Sequence, residues 1–414
     1  MKRLSILLIL TMVTFAIRAQ NFTYSSKDSI NGKPKAEGYL FFKMKLNGVY
    51  DLSGGLHGLE TFNVGKIDVW DDQNIQNFSM DMHQSQIRLF GSRQINGHTA
   101  KGYFEGDFWA GNKVARLRHA WVDYQFIHFG QDWSFFGDKD IWPNVFDWDG
   151  PPSGVWRREP QLQFYFWTDD NWKFEVGIEQ PGSEITYDED IDPNIMPAKN
   201  NKFPDFIATV KKKKDWGHLR LATIMRNLSY CKNESDESIL GYGAAVSGYL
   251  STSETYDNPI QFQFVYGKGI ATYLVSFSGL NYDAAPDGSG NVEAIPVFGG
   301  WLSYEKWLSE KWHGNIVLGM SDFSTSEINE FYVEGGKFNV YDGSMDLNHY
   351  YGLVNIMYDP FENFTLGVEY NLGYKENVYH GDIVYDETGE NHDSDRLSKG
   401  RNAHRISFGL FYNF

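Results

Sequence analysis

The last thirteen residues, NAHRISFGLFYNF, place Ile406, Phe408, Leu410, Tyr412 and Phe414 on one side of an extended chain and Arg405, Ser407, Gly409, Phe411 and Asn413 on the other. That period-two pattern is a strand with one apolar face. Phe364, Leu366, Val368, Tyr370, Leu372 and Tyr374 alternate in the same way with Thr365, Gly367, Glu369, Asn371 and Gly373. Leu162, Phe164 and Phe166 alternate with Gln161, Gln163 and Tyr165. Carried along the chain, the pattern predicts sixteen strands: 38-50, 81-92, 98-110, 113-124, 127-133, 158-168, 171-180, 205-214, 217-228, 237-251, 258-267, 292-308, 311-325, 346-358, 362-375 and 402-414. Residues 270-280 fit either a strand or a short helix within a loop.

The predicted connections alternate in length. Short ones fall at Asn96-Gly97, Gln125-Phe126, Asp169-Asp170, Asp215-Trp216, 252-257, Ser309-Glu310 and 359-363. The Asn-Gly pair is a hairpin signal because both central residues of that turn need positive φ. Long ones fall at 51-80, 134-157, 181-204, 229-236, 268-291, 326-345 and 376-401, with only Gly111-Asn112 short on that side. Short periplasmic turns, long extracellular loops and an even strand number describe an all-β transmembrane antiparallel barrel. An end strand as aromatic as 402-414 would be an aggregation hazard at an open sheet edge, whereas a closed barrel turns that face to lipid. A terminal Phe414 preceded by apolar residues at every second position also resembles the assembly signal by which outer-membrane barrels engage their barrel-assembly machinery.

The N-terminus, MKRLSILLILTMVTFAIRAQ, has Lys2 and Arg3 ahead of an apolar run from Leu4 to Ile17. It predicts a signal peptide over 1-19, cleaved near Ala19, for export to the outer membrane of a Gram-negative cell. A short periplasmic segment, 20-37, would follow, with the barrel over 38-414. Composition agrees: 41 Gly, 25 Tyr, 31 Phe and 13 Trp favour strands. Mean hydropathy is negative, which a barrel permits because lipid-facing and lumen-facing residues average out. The net charge of -17 becomes about -20 once Lys2, Arg3 and Arg18 are removed, which argues against nucleic acid as a partner. The single cysteine, Cys231, excludes an internal disulfide and multi-thiolate zinc sites.

Parity places charge inside. Arg88, then Glu105 and Asp107, then Arg116 and Arg118 fall on the inner faces of consecutive strands, with Arg116 and Arg118 sharing theirs with Ala120 and Val122. They either brace the wall as a salt-bridge network or meet solutes as well. Arg220, Arg226 and Arg405 are inward by parity alone. Trp167, Trp172, Trp216, Trp307 and Trp312 border short turns and read as an interfacial girdle. Lys211 to Lys214 read as a solvated run, and His119 and His128 as wall residues. The acidic stretches 188-192 and 386-395 could hold calcium in extracellular loops, although neither has regular ligand spacing; no other cofactor is expected.

From Ser85 to about Tyr165, the segments SQIRLFGSR, GYFEGDFWAG, ARLRHAWVDY, HFGQDWSFFGD, DWDGPPSGV and RREPQLQFYF resemble, in type and spacing, the DcaP-like porins of the bacterial outer membrane. The resemblance implies a sixteen-stranded barrel, a homotrimer, and passage of small hydrophilic solutes, often anionic organic ones, past a basic constriction. Residue by residue, Arg116 and Arg118 match the paired arginines before the constriction loop. Gln131 to Ser134 and Asp138 match its beginning, and Arg158 to Gln161 match the strand that leaves it. Arg157 is an addition at the same mouth, and Asp132 lies within the matched block. The helical N-terminal extension of better-known members has no counterpart in this sequence. Asp138, Asp140, Asp147 and Asp149 add acid opposite base, the arrangement of a general porin with a transverse field. The expectation is thus a passive diffusion channel, not an enzyme, with loop 134-157 folded inward. A barrel lipase or protease is one alternative, although G-x-S-x-G and H-E-x-x-H are absent from the sequence. A structural or adhesive barrel is another.

Overall fold

The computed structural model describes residues 22–30, 32–56, 61–69, 74–110, 114–169, 171–187, 194–198, 200–253, 257–286, 291–325, 330–333, 338–385, 391–392 and 397–414. Its sixteen barrel strands are β1 Ala36–Ser53, β2 Gln86–Ile95, β3 His98–Ala110, β4 Val114–Tyr124, β5 Ile127–Trp133, β6 Arg158–Thr168, β7 Trp172–Glu179 and β8 Asp205–Lys214. They continue as β9 Gly217–Lys232, β10 Ser235–Ser251, β11 Pro259–Lys268, β12 Pro296–Trp307, β13 Trp312–Ser324, β14 Phe338–Phe361, β15 Phe364–Tyr385 and β16 Leu397–Asn413. Each pairs antiparallel with its chain neighbours, and β16 returns to β1, from His404↔Ser53 to Asn413↔Lys43. The backbones of Phe42 and Phe414 exchange two hydrogen bonds of 2.7 and 2.9 Å, so the final residue closes the ring. Its aromatic ring stacks on that of Phe42 at 5.4 Å.

The predicted alternation is present. On β9, His218, Arg220, Ala222, Ile224, Arg226 and Leu228 are buried inward, while Leu219, Leu221 and Met225 lie exposed on the outer face. Burial against lipid, not against protein, explains why so many large apolar side chains stand outside. Turn chemistry also agrees, since Asn96 and Gly97 have φ of 49 and 80°.

Several expectations need correction. The spans 326-345 and 376-401 are largely ladder, because β14, β15 and β16 extend well past the apolar stripe that marked them. Likewise 229-236 is a tight hairpin in which Asn233 and Glu234 take φ of 48 and 65°. Ala120 and Val122 do not share the inner face with Arg118. A bulge shifts the β3–β4 register between Glu105↔His119 and Gly106↔Leu117, so Arg118 and His119 both reach Glu105, and parity reverses beyond them. Trp307 stands inside, stacked on His313 at 4.2 Å, whereas Trp312 packs on Tyr358 on the outer side. Residues 270-280 form a short 3-10 turn, Ala271–Tyr273, and further turns. The signal peptide, the acidic stretch 188-192, the Gly111-Asn112 corner and most of 386-395 lie outside the described residues.

The N-terminal segment adds to the wall. Phe22–Ser25 pairs with residues 37–40 of β1, below the point where β16 ends.

Candidate functional site: a half-filled lumen

Three connections fold against the inner wall, where one was expected. Segment 134–157 leaves β5, and Glu179 of β7 accepts from Ser134 Oγ and from the Phe135 amide, both at 2.8 Å. Arg220 of β9 donates to the carbonyls of Phe135 and Phe136. Asn144 then donates to Glu305 of β12 and accepts from Asn315 and Asn355 of β13 and β14, at 2.8 and 2.9 Å. Glu369 of β15 accepts the Phe146 and Asp147 amides at 2.8 and 3.0 Å. On the way back, the Val155 amide reaches Gln263 of β11 at 3.0 Å.

Segments 54–56 and 61–69, together with 269–286, fill the space beside it. Lys375 holds the Gly65 carbonyl at 2.8 Å, and Arg405 holds Asp51 and the Leu56 carbonyl. Arg226 binds Asp205 and Asp283, both at 2.9 Å. Phe136 of segment 134–157 and Leu274 and Phe277 of segment 269–286 pack with inward Ile207, Ile224, Val265 and Val297 into one core. Inner-face glycines give the loops room. A Cβ on Gly299 would lie 2.4 Å from Ser153, and one on Gly367 would lie 2.9 Å from the Phe146 ring.

Inner-face chemistry decides which half fills. On β8 to β14 it is rich in Ile, Val, Leu and Ala, whereas on β1 to β6 it carries Lys43, Gln86, Arg88, Glu105, Arg116 and Arg118. A cavity of about 1000 Å³ remains along the second wall. It extends from Trp307, Asp359 and Asn413, near the short-turn rim, to Thr61 and Asp149 on the inner segments.

Within that cavity the charges form a ladder. Glu105 bridges Arg88 at 3.0 Å and Arg118 at 2.6 Å, and Asp107 bridges Arg116 at 2.7 Å and Arg118 at 2.9 Å. The carboxylates are buried beneath, while the Arg88 and Arg116 side chains each keep 32% of their surface exposed. The network therefore braces the wall and presents cations at once. Arg158, Lys43, Lys66 and Lys139 join the lining, against Glu105, Asp149 and Asp359.

Other expected site residues lie elsewhere. Arg220 and Arg405 are buried loop anchors. Arg157 pairs with Glu159 and with Thr272 of segment 269–286. Asp132 is buried between His119 at 2.9 Å and Lys139 at 2.9 Å. Asp138 is buried among His218, Lys211 and Ser247, at 2.8, 2.9 and 2.8 Å. Lys211 is thus a loop partner instead of part of a solvated run, and it also holds Asp140 at 2.6 Å. Asp147 is buried near Arg405 and accepts the Phe62 amide at 2.5 Å. Their parity was legible, but occupancy by a loop is a tertiary fact. The tryptophans Trp133, Trp142, Trp148 and Trp156 line the cavity without having been singled out as site residues. The signal was available, since an extracellular loop exposed to water would not carry so many apolar rings in 24 residues. Among the described residues no group of three or more His, Cys, Asp or Glu is placed to hold a metal ion.

Burial alone would lift the Asp138 carboxyl, but the His218 hydrogen bond and the charges of Lys211 and Arg220 hold it well below the usual carboxylate range. A carboxyl depressed on folding stabilises the docked loop at every pH above its unfolded value, about 3.9. That stability is lost only as the pH falls through the lower, folded value. Docking, followed by limited proteolysis within 134–157, is expected to hold unchanged from pH 7 down to about 4. New cleavage between pH 7 and 5 would show that another group sets the anchor.

No protein-family profile matches the sequence, and no curated protein matches it. Among solved structures the chain is similar to the outer membrane channel DcaP of Acinetobacter baumannii, at 16% identity and a TM-score of 0.68, covering 94% of this chain and 100% of that one. It is also similar to an anion-selective porin from Comamonas acidovorans, at 9% identity and TM-score 0.56, over 92% of this chain and 100% of that one. A third is Salmonella typhi OmpF in complex with daunomycin, at 13% identity and TM-score 0.53, over 92% and 98%. These likenesses establish the fold as the sixteen-stranded barrel of the porins.

Proposed function

We propose that the protein is an outer-membrane porin, a passive diffusion channel for small hydrophilic solutes, anionic organic ones among them, in a Gram-negative cell. The observation that carries the reading is a closed barrel, apolar outside, whose lumen keeps a cation-lined cavity although three segments fold into it. An adhesive barrel has no need of such a cavity. The neighbours titled an outer membrane channel and an anion-selective porin support the same function. Selectivity comes from width and from the Arg88, Arg116, Arg118 and Arg158 wall, and no bond is made or broken. Lipid surrounds the apolar face, Phe414 engages the assembly machinery before it closes on Phe42, and the working unit is a homotrimer.

Purified protein in planar bilayers is expected to conduct ions in steps of three, and the absence of any current would end this reading. Replacing Arg116 and Arg118 by Gln leaves Asp107 without an ion-pair partner and Glu105 with Arg88 as its one arginine. The reversal potential under a salt gradient is therefore expected to move toward cations. An unchanged potential would take both arginines out of the conduction path.

A further inference from the structure

Charge and width alone do not account for the aromatic lining of the cavity. Of the chain's 13 tryptophans, six line it: Trp109, Trp133, Trp142, Trp148, Trp156 and Trp307. Each is only half-buried, so each indole keeps part of its surface toward lumenal water. Three of them are joined. Trp133 and Trp142 stack with centroids 6.4 Å apart and planes 21° apart, and Trp156 meets Trp142 edge-on at 4.2 Å.

A guanidinium completes this platform. Arg158 lies 4.6 Å above the Trp133 ring, and Arg118 lies 5.9 Å from it. Arg118 is held by Glu105 and Asp107, but among the described residues Arg158 has no carboxylate within ion-pair distance. Its indole contact leaves its N–H fork free to bind an anion, and a fork of that geometry matches a carboxylate. An indole beside it offers a flat face to the C–H side of a sugar ring or to an aromatic ring. An acyclic anion can use the cation only.

We propose that Arg158, Trp133 and Trp142 form a solute subsite for a carboxylate carried on a flat-faced ring, either a uronic acid or an aromatic acid, so that ring stacking discriminates among anions of equal charge. This rests on the channel reading above.

The test is single-channel recording of the full-length protein with glucuronate, benzoate, gluconate or glucose added. Glucuronate and gluconate carry the same charge and carbon number, but only the first is a ring. Ring anions are expected to block the current with residence times about fivefold to tenfold longer than gluconate, the scale of one aromatic stack. Trp142→Leu is expected to erase that difference, Trp142→Phe to retain part of it, and Arg158→Gln to shorten residence for every anion. Heat-modified mobility on gels confirms that each variant is folded. Blockade by benzoate alone assigns the subsite to aromatic acids, and blockade by glucuronate alone assigns it to acidic sugars. Ion current with equal residence for gluconate and the ring anions overturns the subsite but leaves the channel intact. No current at all overturns both.

Discussion

Replacing Arg226 by Met will destabilise the barrel by about 3–5 kcal/mol, the cost of stranding buried charge. Its guanidinium is the common partner of Asp205 on β8 and Asp283 in segment 269–286. It also donates to the Gly269 and Gly182 carbonyls, and it lies 5.0 Å from the Tyr273 ring. Without it, two buried carboxylates lose their cationic partner and two carbonyls lose a donor. Urea unfolding in lipid, read by the gel shift of the folded barrel, measures the loss. Arg226→Met combined with Asp283→Asn is expected to recover part of it, because one of the stranded charges is gone. A single variant as stable as the parent would show that the pair is solvated.

Excising residues 139–149 and joining the ends through glycine and serine will raise single-channel conductance about twofold or more, as expected when the segment that narrows a lumen is removed. The excised stretch carries Trp142, Trp148 and Asp149 away from the cavity, and it uncovers Glu305 and Glu369, which now bind Asn144 and the amides of Phe146 and Asp147. Discrimination among anions should weaken with the rise in current. Unchanged conductance would place the narrowest point elsewhere, at the Thr61 or Lys66 side of the cavity.

The strands were legible because each obeys a two-residue period set by lipid on one side and lumen on the other. Each of the sixteen overlaps the segment that period marks, although the one expected at 81-92 is broken at 82–85 and β14 to β16 run longer. The ladder of Arg88, Glu105, Asp107, Arg116 and Arg118 was legible for the same reason. What parity could not show is the bulge at Arg118 and His119, since one extra residue leaves no mark in composition. Nor could it show what occupies an inward position. Arg220 and Arg116 look alike along the chain, yet one grips a loop carbonyl and the other faces the cavity. The inward loops did leave a trace that pattern reading undervalued. Phe135, Phe136, Ile141, Val145 and Phe146 crowd one connection, and Ile270, Tyr273, Leu274 and Phe277 crowd another. Glycines stand opposite them on the strands. Such segments cannot remain in water, and in a barrel the available shelter is inside.

The half-filled lumen also divides the wall by solvent access. Strands whose inner faces meet the packed segments have lipid without and protein within, whereas β2 to β4 face the cavity along one side. Amide hydrogen exchange reads that division directly, because exchange requires local opening to solvent. Amides of β9 to β11 should retain hydrogen far longer than those of β2 to β4, although every one of these strands is hydrogen-bonded to two neighbours.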